Sequence, residues 1–177
     1  MIIKSFEIRK KKFDKQNFFL VYGENEGLKN EIIKTLKETF EGEKEITDEA
    51  NVLKNTELFY EKLFNQSLFE SEKVIIINRC SDKIFEIFES IIKKNISGIK
   101  IILIANVLEK KSKLRKLFET NKELIIVPTY KDTLISLFEI AKRFFYDHKI
   151  SISQETINLL ISRCSGDRGH LKTELDK

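Results

Sequence analysis

FNQSLFESEKVIIINR, the stretch from Phe64 to Arg79, contains the clearest structural signal in the chain. Its second half includes four consecutive β-branched apolar residues, Val74 to Ile77, with charged residues close by on both sides. Such a run is typical of a strand that is buried on both faces, as in the middle of a parallel sheet. The stretch therefore predicts an α/β fold in which this strand lies inside the sheet.

The first half of the same stretch is a polar loop that carries two large apolar side chains, Leu68 and Phe69. Neither a helical nor a strand period places these two side chains in a core. One interpretation is that the pair inserts into a pocket of a partner protein. The other is that the pair folds back onto its own domain, and the residue pattern leaves both interpretations open.

Strands and helices alternate along the first part of the chain. Buried strands are predicted at 18–22, near 45–47, and at 74–77, 99–105 and 123–127. Helices are predicted at 26–40, from residue 51, at 82–94 and at 111–120. The helix from residue 51 is expected to bury an apolar stripe of Leu53, Leu58, Phe59 and Leu63. Strands at helix-sized intervals imply right-handed crossovers and a mostly parallel sheet with helices on both faces.

The pattern changes after Pro128, where only helices are predicted. These helices cover 133–148, 153–164 and the residues from 167 onward. Ser153 is a suitable N-cap for the second helix, Gly166 is suited to end it, and Asp167 starts the next helix. The sequence therefore predicts an α/β domain at 1–129 and a small helical lid domain at 130–177. Because the last helix reaches Lys177 without a stop signal, we expect the chain to be a fragment.

The composition excludes several classes of protein. The chain has 32 basic and 28 acidic residues, a net charge of +4 that is too mild to indicate nucleic-acid binding by itself. Its two cysteines and two histidines have no metal-like spacing, so no zinc site is expected. No apolar run approaches the length of a membrane span, and no signal peptide is recognised. We expect a cytoplasmic protein without a membrane partner.

The turn after the first predicted strand departs from a phosphate-binding loop. A P-loop has the pattern GxxxxGK[ST], whereas residues 23–31 read GENEGLKNE. The spacing between Gly23 and Gly27 is one residue short, Leu28 separates Gly27 from Lys29, and no hydroxyl residue follows. Three glutamates in the loop add negative charge where phosphates would bind. The loop is interpreted either as a vestigial nucleotide site or as an ordinary strand-to-helix turn.

The second half of an ATP site is absent from its expected place as well. An acidic residue at the end of a buried strand orients magnesium and water in ATPases, but the predicted strand 74–77 is followed by Asn78 and Arg79. The sequence therefore predicts no ATP hydrolysis, no catalytic residues, no metal and no cofactor for this chain.

A basic segment follows the predicted strand at 99–105. Its candidate DNA-contacting residues are Lys110, Lys111, Lys113, Arg115 and Lys116. Such a segment could follow a DNA backbone. The alternative is a solvated helix face that packs Leu114, Leu117 and Phe118 inward, and a similar interpretation applies to the basic run at 9–12.

Four segments of the chain resemble, in order, the delta subunit of bacterial DNA polymerase III, a clamp-loader subunit. They are Tyr22–Glu26, Ser67–Phe69 with the strand that ends in Asn78-Arg79, Val107–Phe118 and Gly166–Lys177. The resemblance implies an AAA+/RecA-like first domain with a degenerate nucleotide site, followed by part of a helical lid. The C-terminal collar domain of that family would be absent.

The resemblance also implies a function and a set of partners. In the family, a Ser-Leu-Phe loop inserts into the pocket of the sliding clamp, the beta subunit, and here the matching residues are Ser67, Leu68 and Phe69, preceded by Gln66. The chain would bind and open the clamp within a DNA polymerase holoenzyme, beside other clamp-loader subunits and primed DNA. Those other subunits, and not this one, would bind ATP.

Two further functions stay open at this point. A nucleic-acid-binding scaffold of the AAA+ type would use the basic segment at 110–116. An active NTPase with an unusual phosphate loop would use Gly23, Gly27 and Lys29.

Overall fold

A computed structural model of the chain describes residues 1–13, 15–64, 73–94 and 98–177. Within these residues the strands are β1 (Phe18–Gly23), β2 (Glu43–Asp48), β3 (Lys73–Cys80), β4 (Ile99–Ala105) and β5 (Ile125–Thr129). They form one parallel five-stranded sheet in the order β2-β3-β4-β1-β5. The predicted α/β fold with a mostly parallel sheet is confirmed.

Helices connect the strands and follow the last of them. They are α1 (Glu26–Thr39), α2 (Glu49–Lys54), α3 (Thr56–Phe64), α4 (Phe85–Lys93), α5 (Lys113–Thr120), α6 (Leu134–Asp147), α7 (Gln154–Arg163) and α8 (Arg168–Leu175). Short 3-10 turns occupy Ser5–Glu7 and Asp82–Ile84. None of the described helices has the length and apolarity that crossing a membrane requires.

The stretch that predicted the fold forms the interior strand β3. It pairs with β2 on one side and with β4 on the other, where Ile75 lies opposite Ile101. The side chains of Val74–Ile77 are at most 2% exposed, because helices cover both faces of the sheet. The run of β-branched residues therefore indicated both the strand and its position inside the sheet.

Aromatic residues fill the space on each face of the sheet. On one face, the ring of Phe88 lies 5.4 Å from the rings of both Phe18 and Phe118. On the other face, Phe19 lies 5.4 Å from Phe13 and 5.1 Å from Phe40. Because neighbouring β1 residues point to opposite faces, Phe18 and Phe19 supply one ring to each core.

The prediction of a single helix from residue 51 is wrong. The chain leaves the helical conformation at Asn55, where φ is −127° and ψ is 47°, so α2 and α3 are separate helices. This break changes the helical phase, and Leu53 and Leu58 are 36% and 52% exposed instead of buried. The residues that face inward are Val52, Phe59 and Leu63.

Strands β3 and β5 extend at their carboxyl ends beyond the predicted ranges. β3 continues past Ile77 to Cys80, so Asn78 and Arg79 are strand residues. β5 continues through Pro128 to Thr129. Proline is tolerated there because β5 is the outermost strand of the sheet and needs fewer backbone donors.

The chain divides into two compact units, each described here by itself. The first unit comprises Met1–Gly23 and Ile32–Pro128, and the second comprises Glu24–Glu31 and Thr129–Lys177. The sequence placed the boundary near residues 129–130 and assigned 24–31 to the first domain. The structure groups 24–31 with the C-terminal helices instead.

The second unit has its own small core. Its buried apolar residues are Leu137, Ala141, Ile157, Ile161, Cys164, Leu171 and Leu175. Ser153 caps α7 by accepting a hydrogen bond from the Thr156 amide, as predicted. Gly166 has a φ of +73° in the turn between α7 and α8, and Asp167 is the N-cap of α8. Ser153 and Gly166 were readable from the sequence because helix capping depends on the residue type at a single position.

Candidate functional site

The first turn of α1, where a phosphate would bind in a P-loop protein, is capped by the chain itself. Asn25 is 9% exposed, and its Oδ1 accepts a hydrogen bond of 2.9 Å from the Leu28 amide. Its Nδ2 donates to the carbonyl of Tyr130 at 3.0 Å and to Oδ2 of Asp132 at 2.8 Å. A helix N-terminus attracts anions through its free amides. Here a side chain already engages one of those amides.

The lysine of the degenerate loop has a carboxylate partner within its own helix. The ammonium of Lys29 lies 2.6 Å from Oε1 of Glu26, and its side chain is 2% exposed. A P-loop lysine reaches the β- and γ-phosphates of a nucleotide. Lys29 is instead buried and paired with an acid.

Gly27, the second glycine of the loop, lies at a close approach between two helices. A Cβ added at Gly27 would lie 2.9 Å from the backbone nitrogen of Gly169, which is shorter than side chains tolerate. The first turn of α1 and the first turn of α8 therefore touch through their backbones. The lack of a side chain at Gly27 is required by this packing.

An enclosed ion cluster lies beside this contact. The guanidinium of Arg168 donates two hydrogen bonds to the Asp132 carboxylate, at 2.8 Å from Nε and 2.5 Å from Nη2. Its Nη1 lies 3.3 Å from Oε2 of Glu31, and Lys172 pairs with the other oxygen of Glu31 at 2.9 Å. The side chains of Arg168 and Asp132 are only 14% and 5% exposed. We call these four residues the Arg168 cluster.

The electrostatics of the cluster follow from this geometry. Burial alone would raise the pKa of the Asp132 carboxyl, but hydrogen bonds from Arg168, Asn25 and Ser136 outweigh it, so the pKa lies below its ordinary value. Asp132 is therefore ionised at neutral pH and holds Arg168 in place. Sequence reasoning missed this cluster because Asp132 and Arg168 are distant in the chain and belong to no periodic pattern.

The carboxyl ends of β2 and β3 carry a polar network instead of a catalytic acid. Arg79 has φ of +57° at a break in register between Ile77 and Cys80, and its guanidinium pairs with Asp48 of β2. The neighbouring Glu49 accepts hydrogen bonds from the amide of Ser81 at 2.7 Å and from its hydroxyl at 2.8 Å. These residues join the ends of the two strands.

The basic segment divides into exposed lysines and one engaged arginine. Lys110, Lys111, Lys113 and Lys116 are exposed. The Arg115 guanidinium instead donates to Glu119 at 2.8 Å and to the Leu108 carbonyl at 3.0 Å, and it lies 5.2 Å from the Tyr22 ring. Leu114 and Phe118 face inward, in keeping with an amphipathic helix. A DNA-contacting role for the lysines stays a prediction.

The predicted clamp-binding residues Gln66, Ser67, Leu68 and Phe69 lie outside the described residues. The structure places the ends of α3 and β3 on either side, at Phe64 and Lys73. Among the described residues, no group of three or more His, Cys, Asp or Glu side chains is arranged to hold a metal ion.

Comparison with known proteins identifies the fold. No protein-family model and no curated protein matches the chain. Among solved structures, it is similar to the Bacillus subtilis DNA clamp loader delta protein, with 14% identity over 97% of this chain and 56% of that chain and a TM-score of 0.67. It is also similar to AMPPCP-bound DnaA from Aquifex aeolicus, with 14% identity over 97% of this chain and 57% of that chain and a TM-score of 0.60.

A Thermotoga maritima RuvB variant is a third similar structure, with 18% identity over 97% of this chain and 58% of that chain and a TM-score of 0.58. The chain spans slightly more than half the length of these proteins. At such identities the likeness shows the fold alone. The chain has an AAA+-type fold, as expected from the sequence.

Proposed function

We propose that this chain is the N-terminal part of a clamp-loader subunit of the delta type, which binds and opens a sliding clamp without hydrolysing ATP. The observation that carries the proposal is an AAA+-type fold in which the residues of the degenerate phosphate loop already contact other residues of the chain. Asn25 caps α1, Glu26 pairs with Lys29, and Gly27 packs against Gly169. This combination is expected of a subunit that keeps the AAA+ framework for assembly and not for catalysis.

Nucleotide binding would require several of these contacts to break. A phosphate at the α1 N-terminus would compete with the Asn25 side chain for the helix amides and with Glu26 for Lys29. It would also approach the carboxylates of Glu24 and Glu31, which repel an anion. The engaged state of the loop therefore favours a subunit that depends on partners for ATP.

The clamp would be recognised by the apolar pair Leu68 and Phe69. Two large apolar side chains in a polar loop can carry most of the binding energy of a small interface when a partner pocket encloses them. The mechanism would be mechanical, because binding energy from this contact would stabilise the open form of the ring. Other loader subunits would bind ATP and control access to this loop.

The test is binding of the sliding clamp from the same organism to the chain, measured by surface plasmon resonance. We expect Leu68→Ala/Phe69→Ala to weaken binding by at least about 10-fold, as loss of a hot spot does. The matched control is Tyr146→Ala/Leu159→Ala, which removes one exposed aromatic residue and one exposed Leu elsewhere. Circular dichroism checks that all variants are folded. Equal binding by both double variants, or no binding by the wild type, would contradict the proposal.

A second candidate function is a nucleic-acid-binding AAA+-type scaffold. The observation that favours it is the exposure of four lysines, Lys110, Lys111, Lys113 and Lys116, in one short segment. A role of this kind predicts that Lys110→Glu/Lys113→Glu/Lys116→Glu weakens DNA binding and lowers its salt dependence. Arg115→Ala would instead lower stability, because Arg115 is engaged within its own unit.

A further inference from the structure

Residues 1–13 form a segment that packs on the first unit. Residues 1–3 lie beside β5, with the Ile3 amide 2.9 Å from the Ile126 carbonyl and the Ile126 amide 3.0 Å from the Met1 carbonyl. Ile3, Ile8 and Phe13 are at most 2% exposed and anchor the segment. We call residues 1–15 the N-terminal arm, of which residue 14 lies outside the described ranges.

The arm carries the net charge of the whole chain. It contains six basic and two acidic residues, a net charge of +4, which equals the net charge of the full sequence. The remaining residues contain 26 basic and 26 acidic side chains and are neutral in sum. The exposed cations of the arm are Lys4, Arg9, Lys10, Lys11, Lys12 and Lys15. A charge distribution of this kind is the electrostatic footprint of a polyanion-binding surface.

Glu7, the one described acidic residue of the arm, is engaged by other residues of the arm. Glu7 accepts a hydrogen bond of 2.9 Å from the Lys4 amide, and its other oxygen lies 3.3 Å from the Lys11 ammonium. Within the described part of the chain, no carboxylate lies within ion-pair distance of Arg9, Lys10 or Lys12. Arg9, Lys10 and Lys12 are thus exposed cations that no described carboxylate neutralises.

An exposed aromatic ring lies within the same surface. Phe6 is 64% exposed, and the Lys4 ammonium lies 5.9 Å from the centre of its ring. Ile3 and Ile8, on either side of Phe6 in the sequence, are buried. They hold the segment on the first unit while the Phe6 ring faces solvent. An outward ring among cations matches the combination with which proteins bind unpaired nucleotides.

We propose that the N-terminal arm binds single-stranded nucleic acid. Arg9, Lys10 and Lys12 contact successive backbone phosphates, and the Phe6 ring stacks on an unpaired base. Stacking distinguishes a single strand from a duplex, whose bases are already stacked on each other. The arm and the clamp-binding loop are separate segments, so this proposal does not depend on the proposed function.

The test is the fluorescence anisotropy of a labelled oligo(dT) of about 16 nucleotides, a length that spans one binding site. We titrate the full chain at about 50 mM and about 200 mM salt and expect weaker binding at the higher salt. Arg9→Glu/Lys10→Glu/Lys12→Glu is expected to weaken binding by at least about 10-fold and to reduce the slope of log K against log salt by about 2. Phe6→Ala is expected to weaken binding by about 5-fold or more and to reduce the preference for oligo(dT) over duplex DNA.

The matched control changes net charge equally at exposed lysines outside the arm, in Lys54→Glu/Lys83→Glu/Lys142→Glu. If this control loses as much affinity as the arm variant, binding reflects net charge and the proposal is overturned. The same conclusion follows if wild-type protein does not bind oligo(dT) at low salt, or if Phe6→Ala binds as tightly as wild type. Co-sedimentation with phosphatidylserine vesicles, without oligo(dT) binding, would assign the arm to membranes and also overturn it. Thermal melting shows that each variant is folded.

Discussion

Arg168 and Asp132 form a two-point hydrogen-bonded ion pair that is almost closed to solvent, with distances of 2.8 Å and 2.5 Å. Asp132 lies at the start of the C-terminal helices, and Arg168 begins α8. The same pair contacts Asn25, which precedes α1, and Glu31, which lies in the second turn of α1. In P-loop proteins the corresponding segment binds nucleotide phosphates. In this chain, segment 24–31 is instead hydrogen-bonded through its side chains to Asp132 and Arg168.

The first prediction concerns this ion pair. Arg168→Ala leaves the Asp132 carboxylate largely buried without its main partner and should lower the free energy of unfolding by about 2 kcal/mol. This is less than a fully enclosed pair would lose, because the cluster retains some solvent access. Arg168→Lys should restore only part of the loss, since an ammonium cannot form the two parallel hydrogen bonds. Urea unfolding followed by circular dichroism measures both variants.

The control for this prediction is Lys172→Ala. Lys172 pairs with Glu31 on the outer side of the cluster, where its side chain is 43% exposed. An exposed ion pair contributes less than about 1 kcal/mol. Equal losses in Arg168→Ala and Lys172→Ala would show that enclosure of the Arg168–Asp132 pair does not matter.

The second prediction concerns Gly27. A glycine in a helix normally costs up to about 1 kcal/mol relative to alanine, so Gly27→Ala would stabilise a free helix. Here the added Cβ would lie 2.9 Å from the Gly169 nitrogen, so α1 and α8 must separate. We expect Gly27→Ala to lower the free energy of unfolding by about 1–3 kcal/mol. The measurement is the shift in urea midpoint at unchanged slope.

Asn30→Ala is the matched control for Gly27→Ala, because Asn30 is an exposed residue of the same helix. Alanine has the higher helix propensity, so this variant should be as stable as wild type or slightly more stable. A gain in stability from both variants would mean that the first turns of the two helices are not in close contact.

The sequence was sufficient for those features that depend on local chemistry. The β-branched run Val74–Ile77 predicted an interior strand, and the caps Ser153 and Asp167 marked the starts of helices. Sequence-based prediction was wrong where burial depends on the rotational phase of a helix, and it missed contacts between residues that are distant in the chain. Asn55 interrupts the helical phase without being a strong helix breaker, so the burial of Leu53 and Leu58 was predicted wrongly.

The candidate site was predicted only in part, for a related reason. The departures of Gly23–Glu31 from a P-loop are visible in the sequence, but the side chains that fill the loop are not. Asp132 and Arg168 reach it from elsewhere in the chain, and nothing in their local sequence indicates burial or pairing. The buried ammonium of Lys100, which donates to the carbonyls of Phe13 and Gln16, was missed for the same reason.

The third prediction is a pH dependence that arises from Asp132. The pKa of its carboxyl is lower in the folded chain than its ordinary value of 3.8, since hydrogen bonds led by that from Arg168 outweigh the opposing effect of burial. A carboxyl whose pKa is depressed by folding contributes stability above its ordinary pKa and loses that contribution as the pH falls through the folded pKa. The contribution is therefore complete at neutral pH and is lost below about pH 4.

Asp132→Asn should accordingly be less stable than wild type at neutral pH and should lose less stability as the pH falls below about 4. Asp176→Asn, at the exposed end of α8, serves as the control and should follow the wild-type curve. Urea midpoints measured across the acid range give both curves. If the urea midpoints of wild type and Asp132→Asn fell equally with pH, Asp132 would not be a cause of the acid sensitivity.

The fourth prediction concerns the two buried thiols. Burial raises the pKa of the Cys80 thiol to about 12, and its Sγ donates to the Ile77 carbonyl at 3.1 Å. Burial also raises the pKa of Cys164, which is 3% exposed. Because the thiolate is the reactive form, the raised pKa leaves very little reactive Cys80 at about pH 8. We expect native protein to react slowly with iodoacetamide at both positions and rapidly after unfolding in urea.

Ser162→Cys supplies an internal reference for that experiment, because residue 162 is an exposed position two residues before Cys164. Peptide mass spectrometry then compares three thiols in one sample, and the introduced thiol should be modified far faster than either native one. If Cys80 reacts as fast as the introduced thiol, the carboxyl end of β3 must open readily. The network of Asp48, Glu49 and Ser81 would then not hold the ends of β2 and β3 together, although the hydrogen bonds of 2.7 Å and 2.8 Å to Glu49 predict that it does.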